Sequence, residues 1–286
     1  MLHPLPGPAD DAAPLSESSL PDDFTYVETD DLRPGQRWST WDDIGVLAGP
    51  EPWPDWLVTT DAAVDTELGI LKTGKEADVF LLERADADAS VVLAAKRYRG
   101  LDHRLFHRDA GYTEGRRLRN TRDRRATAKG TRHGRSVQAG QWAAAEFDCL
   151  SRFWSAGLPV PYPVQLDGTE ILMELVALED GSGAPRLAQT RPPRDLLETY
   201  WEQLVDAVRG MASFGLAHGD LSPFNVLATG ERLVLIDLPQ AVDIITNPQG
   251  MEYLTRDCTN MATWFAARGL DVDGGELLAD VLTYAF

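Results

Sequence analysis

The chain has 286 residues, 43% of them hydrophobic and 25% charged, enough to bury a sizeable core as one or two domains. No apolar run approaches the roughly 20 residues of a membrane span, and no basic start followed by an apolar core marks a signal peptide. The net charge of −18 is uneven: residues 1–67 hold two arginines against fifteen carboxylates, and residues 96–135 hold fourteen Lys or Arg against four carboxylates. Segments of net −13 and +10 point to partners of opposite sign. Cys149 and Cys258 are the only cysteines. They read as buried thiols in a reducing compartment, so the cytoplasm is expected.

Residues 1–35 are rich in Pro, Asp, Ser and Ala and read as a disordered acidic tail. Trp38, Trp41, Trp53 and Trp56 follow in an extension over 36–65. Four tryptophans so close together are expected to pack on the body of the protein, with docking of a partner as the alternative.

Leu68 to Leu82 reads as strand, tight turn, strand around Thr73-Gly74-Lys75-Glu76-Ala77-Asp78-Val79. Gly74 and the small Ala77 let backbone approach a ligand closely, and amides there can cradle phosphate oxygens. The GxxxxGK[ST] loop is absent, and a plain hairpin is the simpler account of the glycine by itself. Val91 to Tyr98 is a third strand, in which alternation puts Val92, Ala94, Lys96 and Tyr98 on one face. Lys96 therefore needs a partner, or it snorkels to solvent from the strand end.

Residues 99–138 form a basic insert containing Arg116-Arg117-Leu118-Arg119 and Arg122-Asp123-Arg124-Arg125. A solvated, mobile loop is the plain reading. A phosphate-rich partner such as RNA is the sharper one. A helix is predicted over 141–156, with Gly157 as its stop before Pro159. Glu146 falls on its apolar stripe with Trp142, Leu150 and Phe153 or Trp154. One buried acid and one buried lysine invite each other, and such a pair can hold Lys96 on the α- and β-phosphates of a nucleotide.

A hairpin turning at Asp167-Gly168 leads into the buried strand Ile171-Leu172-Met173-Glu174-Leu175-Val176. A long helix is predicted from about 194 to Phe214, burying Leu197, Leu204, Val208 and Met211 and ended by Gly215. A last helix from about Met251 to Ala267 buries Leu254, Cys258, Met261 and Phe265.

Between these helices lies His218-Gly219-Asp220-Leu221-Ser222-Pro223-Phe224-Asn225-Val226-Leu227, followed by the apolar run Leu233 to Ile236 and then Asp237. Pro223 keeps the first stretch from becoming helix. Val226 to Ala228, a turn at Thr229-Gly230-Glu231 and Leu233 to Ile236 read as a hairpin that returns Asp237 beside Asn225. Phosphoryl transfer needs a carboxylate at the attacking group and oxygen ligands on a metal. Asp220 can be the first; Asn225 and Asp237 can be the second, because Mg2+ prefers oxygen. A polar turn between two buried strands is the bland alternative, but acids and amides at buried strand ends are costly unless something satisfies them.

Residues 66–275 resemble a RIO-family atypical serine/threonine protein kinase, nearest the first RIO subfamily. The resemblance rests on Thr73-Gly74-Lys75-Glu76-Ala77, on Glu146 with Ala156-Gly157-Leu158-Pro159-Val160-Pro161, on His218 to Asn225, on Ile236-Asp237-Leu238-Pro239, and on Tyr253-Leu254-Thr255-Arg256-Asp257, in this order. It implies an α+β, two-lobed kinase-like fold. The N-lobe, 66–176, would be an antiparallel sheet plus a helix with a flexible insert at 99–138. The C-lobe, 177–286, would be reduced and mainly helical.

The resemblance also implies roles. Thr73, Gly74, Lys75, Glu76, Ala77 and Val79 would line the phosphates of ATP, Lys96 held by Glu146 would bind the α/β-phosphates, and Met173, Glu174 and Val176 would hold the adenine. Asp220 would act as base and can itself accept a phosphate. Asn225 and Asp237 would bind Mg2+, with Mn2+ as the alternative ion. Ser136 and Thr131 are candidate phosphorylation sites in the insert. The substrate would be a protein or the chain itself, and RNA or the ribosome would contact 99–138; no membrane or DNA partner is expected. Only 49 residues follow Asp237, which predicts weak peptide recognition and makes autophosphorylation or ATP hydrolysis prominent. A small-molecule phosphotransferase of the aminoglycoside or choline kinase type shares the HGD-x4-N pattern and is the main alternative. A nucleotide-switched RNA- or ribosome-binding scaffold is the other.

Overall fold

The computed structural model describes residues 32–43, 45–99, 132–238 and 241–285, with side chains from Gln138 onward in the helix that opens at Arg132. The acidic segment 1–31, the insert residues 100–131 including Thr131, and the side chain of Ser136 lie outside the described residues. The chain divides into Met1–Pro34 and Gly35–Phe286, and every element below belongs to the second unit.

β1 (Gln36–Trp38), β2 (Leu47–Ala48), β3 (Val64–Thr73), β4 (Ala77–Ala85), β5 (Ser90–Tyr98), β6 (Pro163–Asp167) and β7 (Glu170–Glu174) form one sheet. Its order is β1-β3-β4-β5-β7-β6-β2, antiparallel throughout. Strand β5 is buried on both faces from Leu93 to Lys96, whereas β3 is exposed from Glu67 onward. Ala77, Tyr98 and Ile171 face α1 (Arg132–Ser155), where Ala139, Ala143 and Phe147 cover them. The other face carries Leu82, Leu93, Ala95 and Leu172, packed with Trp41, Val164 and Tyr162.

The segment before β3 closes that second face. Its strands β1 and β2 pair with β3 and β6, the two edges of the five-stranded core, so the extension reaches across the sheet. Covering both edges removes rows of unpaired backbone groups. Beneath it Arg84 is wholly buried. It donates Nε to Asp65 Oδ1 at 2.7 Å, Nη2 to Asp65 Oδ2 at 2.9 Å and Nη1 to Gln165 at 2.8 Å, and Gln165 donates to Thr40 at 2.9 Å. The expected packing of the tryptophans holds fully only for Trp41. Trp53 meets it edge-on and Trp56 meets Tyr162, but Trp38, Trp53 and Trp56 keep 39–47% of their surface in water.

Helix α1 begins at Arg132, nine residues before the predicted start at Gln141 and inside the stretch expected as loop. The predicted start rests on apolar periodicity, and Arg132-His133-Gly134-Arg135-Ser136 holds no apolar residue to carry it. Gly157 with φ 78° ends it, as predicted. The second lobe packs α2 (Arg194–Ser213), α3 (Gly250–Ala266) and α4 (Gly274–Leu282) around two antiparallel strand pairs. These are β9 (Val226–Ala228) with β10 (Leu233–Leu235) and β8 (Leu216–Ala217) with β11 (Val242–Asp243). The predicted stripes of α2 and α3, including Leu197, Leu204, Met211, Leu254, Met261 and Phe265, are buried. Cys149 and Cys258 are both buried, and burial pushes the Cys258 thiol up to about 12. Among the described residues no helix is long and apolar enough to cross a membrane.

Candidate active site

Lys96 is the centre of a buried charge group. It rises from β5 on the α1 face of the sheet, and its Nζ donates to Glu146 Oε1 at 2.7 Å and to Asp237 Oδ1 at 2.9 Å. Glu146, on the buried side of α1, is 1% exposed. Its Oε1 also accepts the Leu238 N–H at 3.2 Å, and its Oε2 accepts the Tyr98 hydroxyl. A buried carboxylate is tolerable only when so satisfied. Burial works against the charged Lys96, but Glu146 and Asp237 overcome it and the ammonium titrates above the ordinary lysine range. Burial and the Glu146 charge raise the Tyr98 phenol well above its usual value, so it stays a donor.

The backbone conformation of Asp237 aims its carboxylate at Lys96. Its φ of 70° is the one positive value at a non-glycine among the described residues. That conformation costs a non-glycine residue about 1–2 kcal/mol and is found where a side chain must be aimed. The β9–β10 hairpin delivers it: Ile236 N–H donates to the Asn225 carbonyl at 3.0 Å, which sets the two metal-ligand candidates side by side. Burial would raise the Asp237 carboxyl, but Lys96, then Lys72 and His218, hold it down at about 2.

Asn225 donates Nδ2 to the Asp220 carbonyl at 2.9 Å and faces Asp220 Oδ2 at 3.4 Å. Its Oδ1 therefore turns away from Asp220. Asp220 itself is exposed at the mouth of the cleft. The loop between them is held from α3. Asp257, 1% exposed, accepts the Gly219 N–H at 2.7 Å and the Leu221 N–H at 2.9 Å. Arg256 donates to the Gly219 carbonyl, and Asn260 donates to the Leu221 carbonyl at 3.2 Å. His218 Nε2 lies 3.1 Å from the Ile236 carbonyl, linking this loop to the hairpin. Burial raises the Asp257 carboxyl, and the His218 charge with the two amides opposes the rise.

The β3–β4 turn lies over the same region. Gly74 N–H donates to the Ala77 carbonyl at 3.0 Å, and a Cβ on Gly74 would stand 2.7 Å from that oxygen. Only glycine closes the turn this tightly. Thr73 and Lys75 are exposed at its tip, the Glu76 carbonyl accepts Arg99 N–H at 2.9 Å, and Val79 stands opposite Lys96 on the next strand. At the far end of the cleft, Met173 packs between the cores of the two lobes. Glu174 is turned into its own strand pair: its N–H donates to the Tyr162 carbonyl at 2.8 Å, and its Oε2 accepts the Tyr162 N–H at 3.0 Å. The Val176 carbonyl accepts Ala184 N–H at 2.9 Å.

The structure thus brings Lys96, Glu146, Asp237, Asn225 and Asp220 into one linked group, with Gly74 in the turn above. Sequence reasoning overlooked the roles of Tyr98 and Asp257. Tyr98 sits two residues from Lys96 on the same strand face. Asp257 is an acid on an otherwise apolar helix stripe, which is a readable signal. The arrangement can hold an anion on Lys96 and a hard cation on Asn225 and Asp237, and it leaves a carboxylate at the mouth.

The RIO domain pattern matches residues 102–276. The chain is 37% identical over 222 residues to a RIO-type serine/threonine-protein kinase Rio1 of Haloferax volcanii, covering 78% of this chain and 71% of that protein. It is 30% identical over 215 residues to a serine/threonine-protein kinase RIO1 of Caenorhabditis elegans, covering 75% and 40%. With the human serine/threonine-protein kinase RIO3 it shares 28% over 224 residues, covering 75% and 41%. The chain therefore spans less than half the length of these last two relatives.

Proposed function

The chain belongs to the RIO family of serine/threonine kinases, and on that premise we propose that it transfers the terminal phosphoryl group of ATP, with Mg2+, to a protein hydroxyl or to itself. The observation that carries the reading is Lys96 held between Glu146 at 2.7 Å and Asp237 at 2.9 Å, one residue from each of three distant segments. That geometry fixes an ammonium beside a carboxylate whose charge is retained at neutral pH.

Lys96 holds the α- and β-phosphates, and Glu146 keeps it from folding wholly onto Asp237. Amides of the Gly74 turn cover the phosphate chain. The adenine lies near Met173. Of the two backbone groups of Val176, the carbonyl is used by Ala184, so its N–H is the one left to the base. Asn225 Oδ1 and the Asp237 carboxylate suit Mg2+, a hard cation that takes oxygen ligands and keeps several waters; Mn2+ accepts the same donors. Two protein oxygens fit that habit. The metal would neutralise charge on the phosphates as they part.

Asp220 accepts the proton of the attacking hydroxyl as its oxygen bonds to the terminal phosphorus and the bond to the ADP oxygen breaks. With water as the attacking group the same site hydrolyses ATP, and with no acceptor bound the Asp220 carboxylate can take the phosphate. The basic segment 99–138 is proposed as the contact for RNA or the ribosome, which a filter-binding series across salt concentrations tests through its slope. The buried thiols support a cytoplasmic setting.

The test is incubation of the parent chain and Asp220→Ala with γ-labelled ATP and Mg2+. The parent should move label to inorganic phosphate, to itself or to an added protein. The variant should bind ATP and move none. Hydrolysis by the variant at the parent rate refutes the role of Asp220.

A further inference from the structure

The sheet places a second lysine on the cleft face. β3 pairs Ile70 with Phe80 and then Lys72 with Val79, so β3 advances two residues while β4 advances one. Leu71 is the extra residue of a bulge. Without it, Lys72 would stand opposite Asp78 and point to the far face, because a one-residue slip turns every side chain over. Bulges beside active sites re-aim side chains in this way. On β5, Val79 is opposite Lys96. Lys72, Val79 and Lys96 therefore form one row across three strands and project from one face. At the usual strand spacing the two lysine stems start roughly 10 Å apart.

The charges around Lys72 leave it in need of an anion. Lys96 is committed to Glu146 and Asp237 at 2.7 and 2.9 Å. Lys72 is exposed and makes no ion pair with a described residue. Its ammonium is held below the ordinary lysine range, first by partial enclosure of its otherwise exposed side chain, then by Arg186, with Asp237 opposing and Lys96 adding to the fall. Arg186 comes from the other lobe. It bridges to Leu227 in β9 and donates to the Phe224 carbonyl, next to Asn225. Cations from opposite lobes thus stand near one another, Arg186 beside Asn225 and Lys72 near Asp237, whose carboxylate is already held by Lys96.

We propose that Lys72 is a second phosphate-binding cation, directed at the terminal phosphoryl group of the nucleotide, with Arg186 facing it from the other side of the cleft. This rests on the reading of the cleft as an ATP site and extends it. Lys96, deep beside Glu146, holds the inner phosphates. Lys72, at the mouth beside the Gly74 turn, meets the outermost one, which carries the most charge and reaches furthest toward Asp220. Its task is to distinguish a triphosphate from a diphosphate and to orient the group that leaves.

Titration of the full chain with a β,γ-imido ATP analogue and, separately, with ADP, each with Mg2+, tests this in the parent, Lys72→Met and Lys72→Arg. Lys72→Met should weaken the triphosphate about tenfold, the size of one charge-assisted contact, and leave ADP unchanged. Lys72→Arg should retain most of the triphosphate affinity. Lys72 is exposed, so none of these changes threatens the fold. Equal affinity of parent and Lys72→Met for the triphosphate overturns the role of Lys72 while the ATP reading stands. Equal weakening of both nucleotides overturns the assignment to the terminal group. A parent that binds neither nucleotide overturns both this role and the reading beneath it.

Discussion

Replacing Asp257 by Asn should slow phosphoryl transfer roughly thirtyfold without unfolding the chain. Asp257 touches neither nucleotide nor acceptor. It holds the loop that carries Asp220, through N–H donors of Gly219 at 2.7 Å and Leu221 at 2.9 Å. A hydrogen bond to a charged acceptor contributes about 1.5–3 kcal/mol and a neutral one about 0.5–1.5. Asparagine keeps one accepting oxygen and turns its NH2 toward the other donor. One charge-assisted bond is lost and the second weakened, a gross loss of roughly 3 kcal/mol. Removing a carboxylate that is 1% exposed, and whose titration burial has raised, returns part of this. A net of about 2 kcal/mol corresponds to a thirtyfold fall in kcat if the ordered loop is what reacts. A domain of this size should lose about 4–8 °C in Tm for the same change. Labelled-ATP turnover and a thermal melt measure the two numbers. Affinity for ADP without Mg2+ should change little, since the adenine end and Lys96 lie away from α3. A kcat within threefold of the parent at unchanged Tm would refute the clamp.

Other expectations follow from the same geometry. Glu146→Gln leaves Lys96 with Asp237 as its one charged partner and should lower kcat/KM for ATP about a hundredfold, read by steady-state kinetics. Gly74→Ala sets a Cβ 2.7 Å from the Ala77 carbonyl; the turn must open, and the KM for ATP should rise about tenfold, with ADP binding weakened alongside. Asp65→Ala strands the Arg84 guanidinium in the core and should cost about 3–5 kcal/mol, a fall in Tm of roughly 6–20 °C. The double change Asp65→Ala with Arg84→Leu should recover most of that loss in a thermal melt.

Much of this protein is legible in one dimension because its signals are local. The stripes of α2 and α3, the stops at Gly157 and Gly215, and the turn at Gly168 each depend on neighbours a few residues away. The loop from His218 to Asn225 and the acid at 237 are recognisable by residue type and order alone. The pairing of Lys96 with Glu146 follows from two charges on two apolar faces, since each is costly to bury without the other.

What the fold decided is orientation and partnership across distance. Nothing local announces that Leu71 bulges and so turns Lys72 into the cleft, because register is a property of two strands together. The positive φ of Asp237 is fixed by the hairpin and by Lys96, neither of which is a neighbour in sequence. Asp257 shows itself as a buried acid, but its partners at 219 and 221 are 36 to 38 residues away. The extension before β3 reads as tryptophan-rich packing material, yet it forms both edges of the sheet and buries Arg84. Helix and turn preferences act over one or two turns of chain, whereas pairing, aiming and burial are settled only when distant segments compete for the same faces.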